Sequence, residues 1–305
     1  GGVTVSTKVC GTLSLSSILS PGTKKMNKEN KLVPGLPSGF EDRWGKKVLL
    51  KKKLLKAIEN NFIKFGAEAL ETPSFEIAEN IGSFLAEDQA NPMSDVFSFE
   101  DGDKNITLRY DLSSPLARFY AQNNQELPSI FKRYQIQPVW RADKPQKGRF
   151  REFLQCDADV VGSKSLWQEV EMLDLYIYTF KSLNLPIRIK LNNRKILAAI
   201  SEVVGIEKRL VDFTTILDKI DKIGEGEVLK ELKEKGFSKD QIEKLKPAFK
   251  LRSNNKDIIS YLNDWLGNNE QGISGTEEIN FILNKVKNNG LIDIDICLMY
   301  FNVSF

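Results

Sequence analysis

The segment Phe150-Arg-Glu-Phe-Leu-Gln-Cys-Asp-Ala-Asp-Val-Val161 is predicted to form one β-strand with two unlike faces. Alternate side chains of a strand point to opposite sides. One side is apolar and suits a core, with Leu154, Cys156, Ala158 and Val160. The other side carries an aromatic ring, an amide and two carboxylates, namely Phe153, Gln155, Asp157 and Asp159. Because unpaired buried carboxylates are costly, this polar side either lines a polar cavity or lies open to solvent.

The segment before that strand is a basic loop. Between Arg141 and Arg151, five lysine and arginine side chains accompany a single acid, Asp143. Each charge-assisted contact to a phosphate is worth roughly 1.5–3 kcal/mol, and the arginine fork matches phosphate geometry. The loop therefore indicates a polyphosphate site. The chain has no GxxxxGK[ST] motif, so a Walker-type nucleotide fold is not indicated.

The periodicity of the remaining sequence predicts an α+β fold. Short strands are expected in the first half and at its end, at 68–72, 95–99, 106–111, 131–141 and 187–191. Asp101-Gly102 predicts a hairpin turn, and Ser114-Pro115 predicts a helix capped by Ser114. Helices are expected at 44–65, 167–180, 196–204, 210–223, 228–235, 241–251, 258–266 and 277–286. Ser238 and Gln241 fit a capping box, and a last strand is expected at 291–299.

Composition excludes several kinds of chemistry. The 305 residues contain no histidine, which excludes Ser/His and Cys/His catalytic pairs and histidine-ligated metals. The three cysteines are far apart and form no CxxC pair, so neither a zinc site nor a disulfide framework is indicated. This cysteine usage fits a reducing compartment. No apolar run reaches the roughly 18 residues of a membrane span. Chemistry must rest on carboxylates, arginines, lysines and a borrowed metal ion.

The net charge of +3 comes from the first 25 residues, since the rest of the chain carries 41 basic and 41 acidic side chains. Residues 1–25 are rich in Gly, Ser and Thr and contain no acid, which predicts a disordered or non-native leader. An organelle transit peptide is the alternative. The lysines at 46–53 are interpreted as the solvated face of a helix, with RNA contact as the alternative.

The residues 131–141, the basic loop and the strand up to Gly162 together resemble motif 2 of the histidyl-tRNA synthetases, which are class II aminoacyl-tRNA synthetases. Residues 107–118 resemble the histidine-binding segment of that family. Residues 71–76 resemble its motif 1, whose proline, Pro73 here, lies at the dimer interface. Residues 191–194 and 218–224 resemble the start of its helical insertion. The resemblance covers roughly residues 33–295.

The resemblance implies a role for individual residues. Asp111, Ser113 and Gln155 match the residues that hold the α-amino group of histidine, and Asp159 matches the carboxylate that faces the imidazole. Arg141 matches the catalytic arginine that grips the α-phosphate and the amino acid carboxylate. The ATP contacts implied are Arg141, Asp143, Arg149, Arg151 and Phe153, with Phe153 stacked on adenine. Asp143 departs from the family pattern, which has glutamate at the adenine edge.

The resemblance also implies a function and an architecture. The function is ATP-dependent activation of histidine and its transfer to tRNA(His), with Mg²⁺ on the phosphates, in a cytoplasmic homodimer that does not enter a membrane. The architecture is a class II antiparallel sheet flanked by helices in residues 26–194. An all-helical insertion is expected at 195–290 and a returning core strand at 291–305.

The last residues depart from the family. Residues 293–305 lack the second histidine motif, and no motif 3 follows. We therefore expect a truncated or frameshifted reading frame with negligible ligase activity in isolation, or else a paralogue that has lost activity. Two other functions stay open: a synthetase-like, histidine-sensing regulatory subunit of histidine biosynthesis, and an RNA-binding module built on the lysine-rich helix.

Overall fold

A computed structural model describes residues 34–85, 96–144, 146, 148–217, 219–251, 254–297 and 302–304. The predicted leader, residues 1–25, lies outside these ranges. Within them, no helix is long and apolar enough to cross a membrane.

The first half of the described chain alternates helices with short strands. In order these are α1 (Lys46–Lys64), β1 (Glu68–Ala69), β2 (Phe75–Ile77), α2 (Ala78–Leu85), β3 (Ser98–Asp101), β4 (Lys104–Leu108), α3 (Ser113–Asn123), β5 (Phe131–Trp140) and β6 (Glu152–Val161). Gly66, with φ +78°, follows α1, and its N–H donates to the Ile63 carbonyl, which ends the helix where predicted.

The second half is mainly helical. It contains α4 (Trp167–Ser182), β7 (Arg188–Leu191), α5 (Arg194–Val204), α6 (Leu210–Leu217), α7 (Ile220–Glu234), α8 (Lys239–Lys250), α9 (Asn255–Leu266), α10 (Glu270–Lys285), β8 (Ile292–Ile294) and β9 (Asn302–Ser304). The predicted helix 210–223 is wrong in its extent. It ends at Leu217, and α7 is kinked at Gly224, whose φ is +79°.

The strands form three small sheets with the orders β1-β5-β6, β2-β4-β3 and β8-β7-β9. The predicted hairpin is confirmed, because β3 and β4 pair antiparallel across the Asp101-Gly102 turn. The α+β class is also confirmed. Two pairings depart from an all-antiparallel sheet, since β1 joins β5 and β8 joins β7 in parallel.

The longest pairing is the antiparallel ribbon of β5 and β6, in which ten residue pairs run from Phe131↔Val161 to Trp140↔Glu152. One face of the ribbon packs on α1 and α4. There Tyr134 meets Phe62, with ring centroids 5.7 Å apart, and Cys156 and Ala158 join the same apolar cluster. This is the apolar side predicted for the strand 150–161.

The helical half has one continuous apolar core. It includes Ile189 of β7, Ile200 of α5, Phe213 of α6, Leu262 of α9 and Ile292 of β8, all nearly inaccessible to solvent. Buried residues of α4 belong to it as well. The core thus continues across the predicted domain boundaries near 195 and 290, and the division into domains stays a prediction.

Candidate active site

The second face of the ribbon carries polar residues on both strands, and the register sets them opposite one another. Arg133 lies opposite Asp159, Gln135 opposite Asp157, and Gln137 opposite Gln155. Val139 and Phe153 complete the face at its far end. Cross-strand neighbours lie about 5 Å apart, so the two strands bring amides, carboxylates and a guanidinium into one surface.

Arg133 is fully buried and is the main cation of this face. Its Nη2 lies 2.7 Å from Oδ2 of Asp159, an ion pair whose atoms are not aligned for a hydrogen bond. The same Nη2 donates to the Leu112 carbonyl at 3.2 Å. Among the described residues, its Nε and Nη1 have no hydrogen-bond partner. A buried donor without a partner is costly, so this site is suited to receive a polar group.

Asp157 shares the face with Asp159 and has an unusual acidity. Burial raises the pKa of its carboxyl to about 6, with Arg133 opposing that shift and Asp159 and Asp111 adding to it. A carboxyl of this kind is partly protonated near neutral pH. Perturbed carboxyls cluster at functional sites, which supports the assignment of this face as the site.

Asp111 and Ser113 lie where β4 leads into α3. Oδ1 of Asp111 accepts a hydrogen bond from the Ser114 backbone N–H at 2.9 Å. The prediction that Ser114 caps this helix is therefore wrong, because the carboxylate three residues earlier accepts the free N–H. The charge of Asp111 acts on both Asp157 and Arg133, so the structure brings Asp111 to the site. Ser113 begins α3 and is exposed.

Arg141 follows β5 directly and lies between two aromatic rings. Its guanidinium carbon is 4.4 Å from the ring centroid of Tyr110 and 5.1 Å from that of Phe153. Its Nε donates to the Tyr110 carbonyl at 3.2 Å. Stacking on aromatic faces leaves much of an arginine fork available, which is the arrangement that phosphate recognition requires.

The basic loop after Arg141 is folded on itself. Asp143 forms an ion pair with Arg149, and Gln146 and Arg149 exchange backbone hydrogen bonds. The Nε of Arg151 donates to the Asp143 carbonyl at 2.9 Å. Three residues predicted to contact ATP thus contact one another here, and their roles toward ATP stay predictions.

A buried hydrogen-bond network joins the ribbon to the segment that precedes β2. Arg109 donates to the carbonyls of Thr72, Pro73 and Pro138, and to the Gln137 side chain at 3.1 Å. This network holds the exposed Pro73 beside the sheet. Among the described residues, the buried Oε1 atoms of Gln135 and Gln155 have no donor.

Sequence reasoning had missed Arg109 and Arg133. An alternation of polar residues along 131–139 is the signal that would have found Arg133, because Arg133, Gln135 and Gln137 recur at every second position. Arg109 stands in segment 107–118, which resembles the histidine-binding segment, but its contacts to Thr72, Pro73 and Gln137 follow only from the fold.

No group of three or more histidine, cysteine, aspartate or glutamate side chains in the described parts of the chain could hold a metal ion. Mg²⁺ commonly binds substrate phosphates with only one or two protein carboxylates, so the residues present are compatible with a magnesium ion that arrives with a nucleotide.

A family model described as Histidyl-tRNA synthetase matches residues 39–299 of this chain. The chain belongs to the histidyl-tRNA synthetase family. This confirms the resemblance found in motifs 1 and 2 and in the histidine-binding segment.

Named relatives agree with the family. The chain is 59% identical over 206 residues to a protein of Pelagibacter ubique named Histidine--tRNA ligase, a match that covers 66% of this chain and 44% of that protein. It is 43% identical over 308 residues to the protein of that name from Flavobacterium johnsoniae, covering 87% of this chain and 65% of the relative. The chain thus spans about half to two thirds of the length of these relatives.

Solved structures show the same fold. The histidyl-tRNA synthetase of Nostoc sp. PCC 7120 is 27% identical with a TM-score of 0.78, covering 90% of this chain and 65% of that one. A Bacillus halodurans structure described as an ATP phosphoribosyltransferase regulatory subunit/histidyl-tRNA synthetase has a TM-score of 0.75 over 92% of this chain and 73% of that one, at 20% identity. That second likeness supports the fold alone.

Proposed function

We propose that this chain carries the histidine- and ATP-binding face of a histidine–tRNA ligase. The observation that carries the proposal is the polar face of the β5–β6 ribbon. Gln155 and Asp159 lie on this face with Asp157, whose carboxyl is affected by the charges of Asp111 and Arg141, and Arg141 follows at the end of β5. Such a surface combines acceptors for the ammonium group of an amino acid with a cation for a phosphate.

The proposed reaction is the attack of the histidine carboxylate on the α-phosphate of ATP, which forms histidyl-adenylate and releases pyrophosphate. The protein positions the reactants and neutralises developing charge rather than forming a covalent bond. Arg141 is proposed to hold the α-phosphate, and Phe153 to stack on adenine. Mg²⁺ would neutralise phosphate charge when ATP is bound.

The remaining residues are assigned to substrate groups. Asp111, Ser113 and Gln155 are proposed to hold the α-amino group, which is a cation that carboxylates and an amide oxygen attract. Asp159 is proposed to accept a hydrogen bond from the imidazole. Such a contact would discriminate against amino acids without a ring N–H. The other proposed ATP contacts come from the basic loop, namely Asp143, Arg149 and Arg151.

The proposed third substrate is tRNA(His), which receives histidine from the adenylate. We further propose a homodimer that uses the surface around Pro73, where Phe75 and Ile77 expose apolar side chains. We propose the cytoplasm as the compartment, in keeping with the three scattered cysteines of the sequence.

The regulatory-subunit alternative has less support. The relatives at 43% and 59% identity are named Histidine--tRNA ligase, while the structure with a regulatory-subunit description is only 20% identical. The basic loop between β5 and β6 also suits a nucleotide, which a histidine sensor would not require.

Binding of histidine and of ATP to the whole chain, measured by titration calorimetry, tests the proposal. We expect saturable binding of histidine and not of the other amino acids. Arg141→Ala should weaken ATP binding about tenfold or more, as expected for the loss of a charge-assisted contact to phosphate. The matched control Arg188→Ala changes an exposed arginine on β7 and should leave both affinities unchanged. Binding that is equal for all amino acids would contradict the proposal.

A further inference from the structure

Arg133 has no role in the proposed reaction, although it is the most deeply buried charged group of the candidate site. It is fully buried near the beginning of β5, opposite Asp159 in the register of the ribbon. Its Nη2 contacts Oδ2 of Asp159 at 2.7 Å and is also held by the Leu112 carbonyl. The guanidinium is therefore held through one nitrogen by two groups, one of which is the carboxylate proposed to face the imidazole.

The hydrogen-bonding capacity around Arg133 is only partly used. Among the described residues, Nε and Nη1 of Arg133, Oε1 of Gln155 and Oε1 of Gln135 are buried without partners. Buried polar atoms are almost always satisfied in folded proteins. Unmet donors and unmet acceptors on one face of the ribbon fit a ligand that offers both, and a neutral imidazole offers one N–H donor and one bare nitrogen acceptor.

The charged groups that face Arg133 come from every element packed around it. Asp157 and Asp159 lie on β6, Asp111 precedes α3, and all three carboxylates act on the guanidinium. Arg141 at the end of β5 acts on Asp157, as Arg133 does. On the other face of the ribbon, burial and the charges of Asp157 and Asp159 raise the pKa of Tyr176 of α4. A guanidinium stays charged at any pH near neutrality, so Arg133 is a permanent cation in this group.

We propose that Arg133 is a positioning residue that holds Asp159 as an oriented acceptor and makes the site select histidine with a neutral imidazole ring. This inference rests on the proposed function, since it concerns the state in which the proposed substrate is bound. The physical reason is charge. With Asp159 already paired to a buried cation, a second cation on the ring gains little attraction and meets repulsion at close range in a medium of low dielectric.

The pH dependence of histidine binding tests the proposal. Free imidazole has a pKa of about 6.5, so lowering the pH converts the preferred form into the rejected one. Titration calorimetry of L-histidine with the whole chain, from pH 8 to pH 5.5, should show the dissociation constant of the wild type rising about tenfold per pH unit well below 6.5. Arg133→Met should bind more weakly at pH 8 and lose this dependence, because the bare Asp159 then attracts the imidazolium.

Two further variants test whether the charge of Arg133 or another titrating group causes the pH dependence of histidine binding. Arg133→Lys keeps a cation and should retain the pH dependence of the wild type with reduced affinity. Asp157→Asn removes the carboxyl that titrates in the same range and should also retain it. If Asp157→Asn abolishes the dependence, the titrating group is Asp157 and the proposal is overturned. An unchanged pH dependence in a folded Arg133→Met protein would overturn it equally.

A measurement on the wild type covers the case in which Arg133→Met does not fold. Nitrogen-15 spectra of labelled L-histidine bound at pH 6 report directly whether the ring is neutral or protonated. We expect the neutral ring, and a bound imidazolium contradicts the proposal. If the wild type binds no histidine at pH 8, the proposed function fails. If it binds histidine as the imidazolium, only this inference fails.

Discussion

At the scale of single residues, Arg109 shows how the site is supported. It is almost fully buried, and burial lowers its pKa from the ordinary value. Its guanidinium donates to three backbone carbonyls and to the Gln137 side chain. It therefore joins the strand β5 to the segment around Pro73, which the sequence assigns to two separate motifs.

Removing Arg109 should destabilise the fold strongly. Arg109→Ala leaves several buried acceptors without donors, and each such group costs about 1–3 kcal/mol. We expect the free energy of unfolding, measured in urea, to fall by about 3 kcal/mol or more. Lys244→Ala is the control, because it breaks only an exposed pair with Asp240 and should cost less than about 1 kcal/mol. Equal effects of the two substitutions would show that the Arg109 network contributes little.

Asp157 should make the folded state less stable as the pH rises. Burial raises its pKa from 3.8 to about 6, so between these values the folded state holds a proton that the unfolded state has released. Stability is therefore reduced as the pH rises through this window, by on the order of 3 kcal/mol above pH 6. Asp157→Asn should remove the penalty. Measured in urea, the free energy of unfolding of Asp157→Asn should exceed that of the wild type by nearly nothing at pH 4 and by a constant amount above pH 6. A difference that is the same at every pH contradicts the raised pKa of Asp157.

Sequence alone predicts much of the site at this scale. Alternation and charge predict the polar side of 150–161 and the arginine after Trp140, and in the structure Gln155 and Asp159 share a face with Asp157, on which the charges of Asp111 and Arg141 act. Arg133 was missed because its importance depends on lying opposite Asp159, and cross-strand register is a tertiary property. The ion pair of Asp143 with Arg149 depends on the path of the loop, so the sequence pattern does not indicate it either.

At the scale of elements, Gly162 ends β6 with φ +95°, and a Cβ there would fall on the Ser129 carbonyl oxygen, well inside van der Waals contact. Gly162→Ala should thus add a backbone clash to conformational strain. Gly66→Ala is a matched control, since Gly66 has φ +78° but open space around it. We expect about 1 kcal/mol of destabilisation at Gly66 and clearly more at Gly162 in urea unfolding. Similar values would mean that the strand end relaxes freely.

Short sequence motifs predict those elements that are held by contacts between neighbouring residues. The capping box at α8 is present, with Ser238 accepting from the Gln241 N–H and the Gln241 side chain accepting in return. The Asp101-Gly102 hairpin is likewise local. The parallel pairing of β1 with β5 joins residues more than sixty positions apart, and nothing in the local pattern of residues 68–69 indicates it.

At the scale of the whole molecule, the exposed apolar surface near Pro73 bears on assembly. Phe75 and Phe99 lie edge to face with centroids 5.4 Å apart, and they are 53% and 45% exposed. Exposed apolar patches commonly mark interfaces. If the proposed homodimer uses this surface, Phe75→Asp should shift the sedimentation coefficient from dimer to monomer.

The matched control for that shift is Val211→Asp, which puts the same charge on a similarly exposed apolar residue of α6. It should leave the sedimentation coefficient unchanged. A Phe75→Asp protein that sediments as the wild type does would exclude this surface as the interface.

The sequence predicts the fold class but not which elements pack against one another. The α+β class and the helical second half follow from periodicity. The apolar core that runs from α4 through the helices to β8 does not, because it depends on contacts between residues more than a hundred positions apart.

The central claim is that the polar face of the β5–β6 ribbon is a histidine-binding site. Equilibrium dialysis of the whole chain against each labelled amino acid at pH 8 tests it most directly, with Asp159→Asn as the site variant and Asp240→Asn, on the exposed surface of α8, as the control. We predict saturable binding of histidine alone, weakened at least tenfold by Asp159→Asn and unchanged by Asp240→Asn. Histidine binding that is absent, unselective or indifferent to Asp159 would contradict the claim.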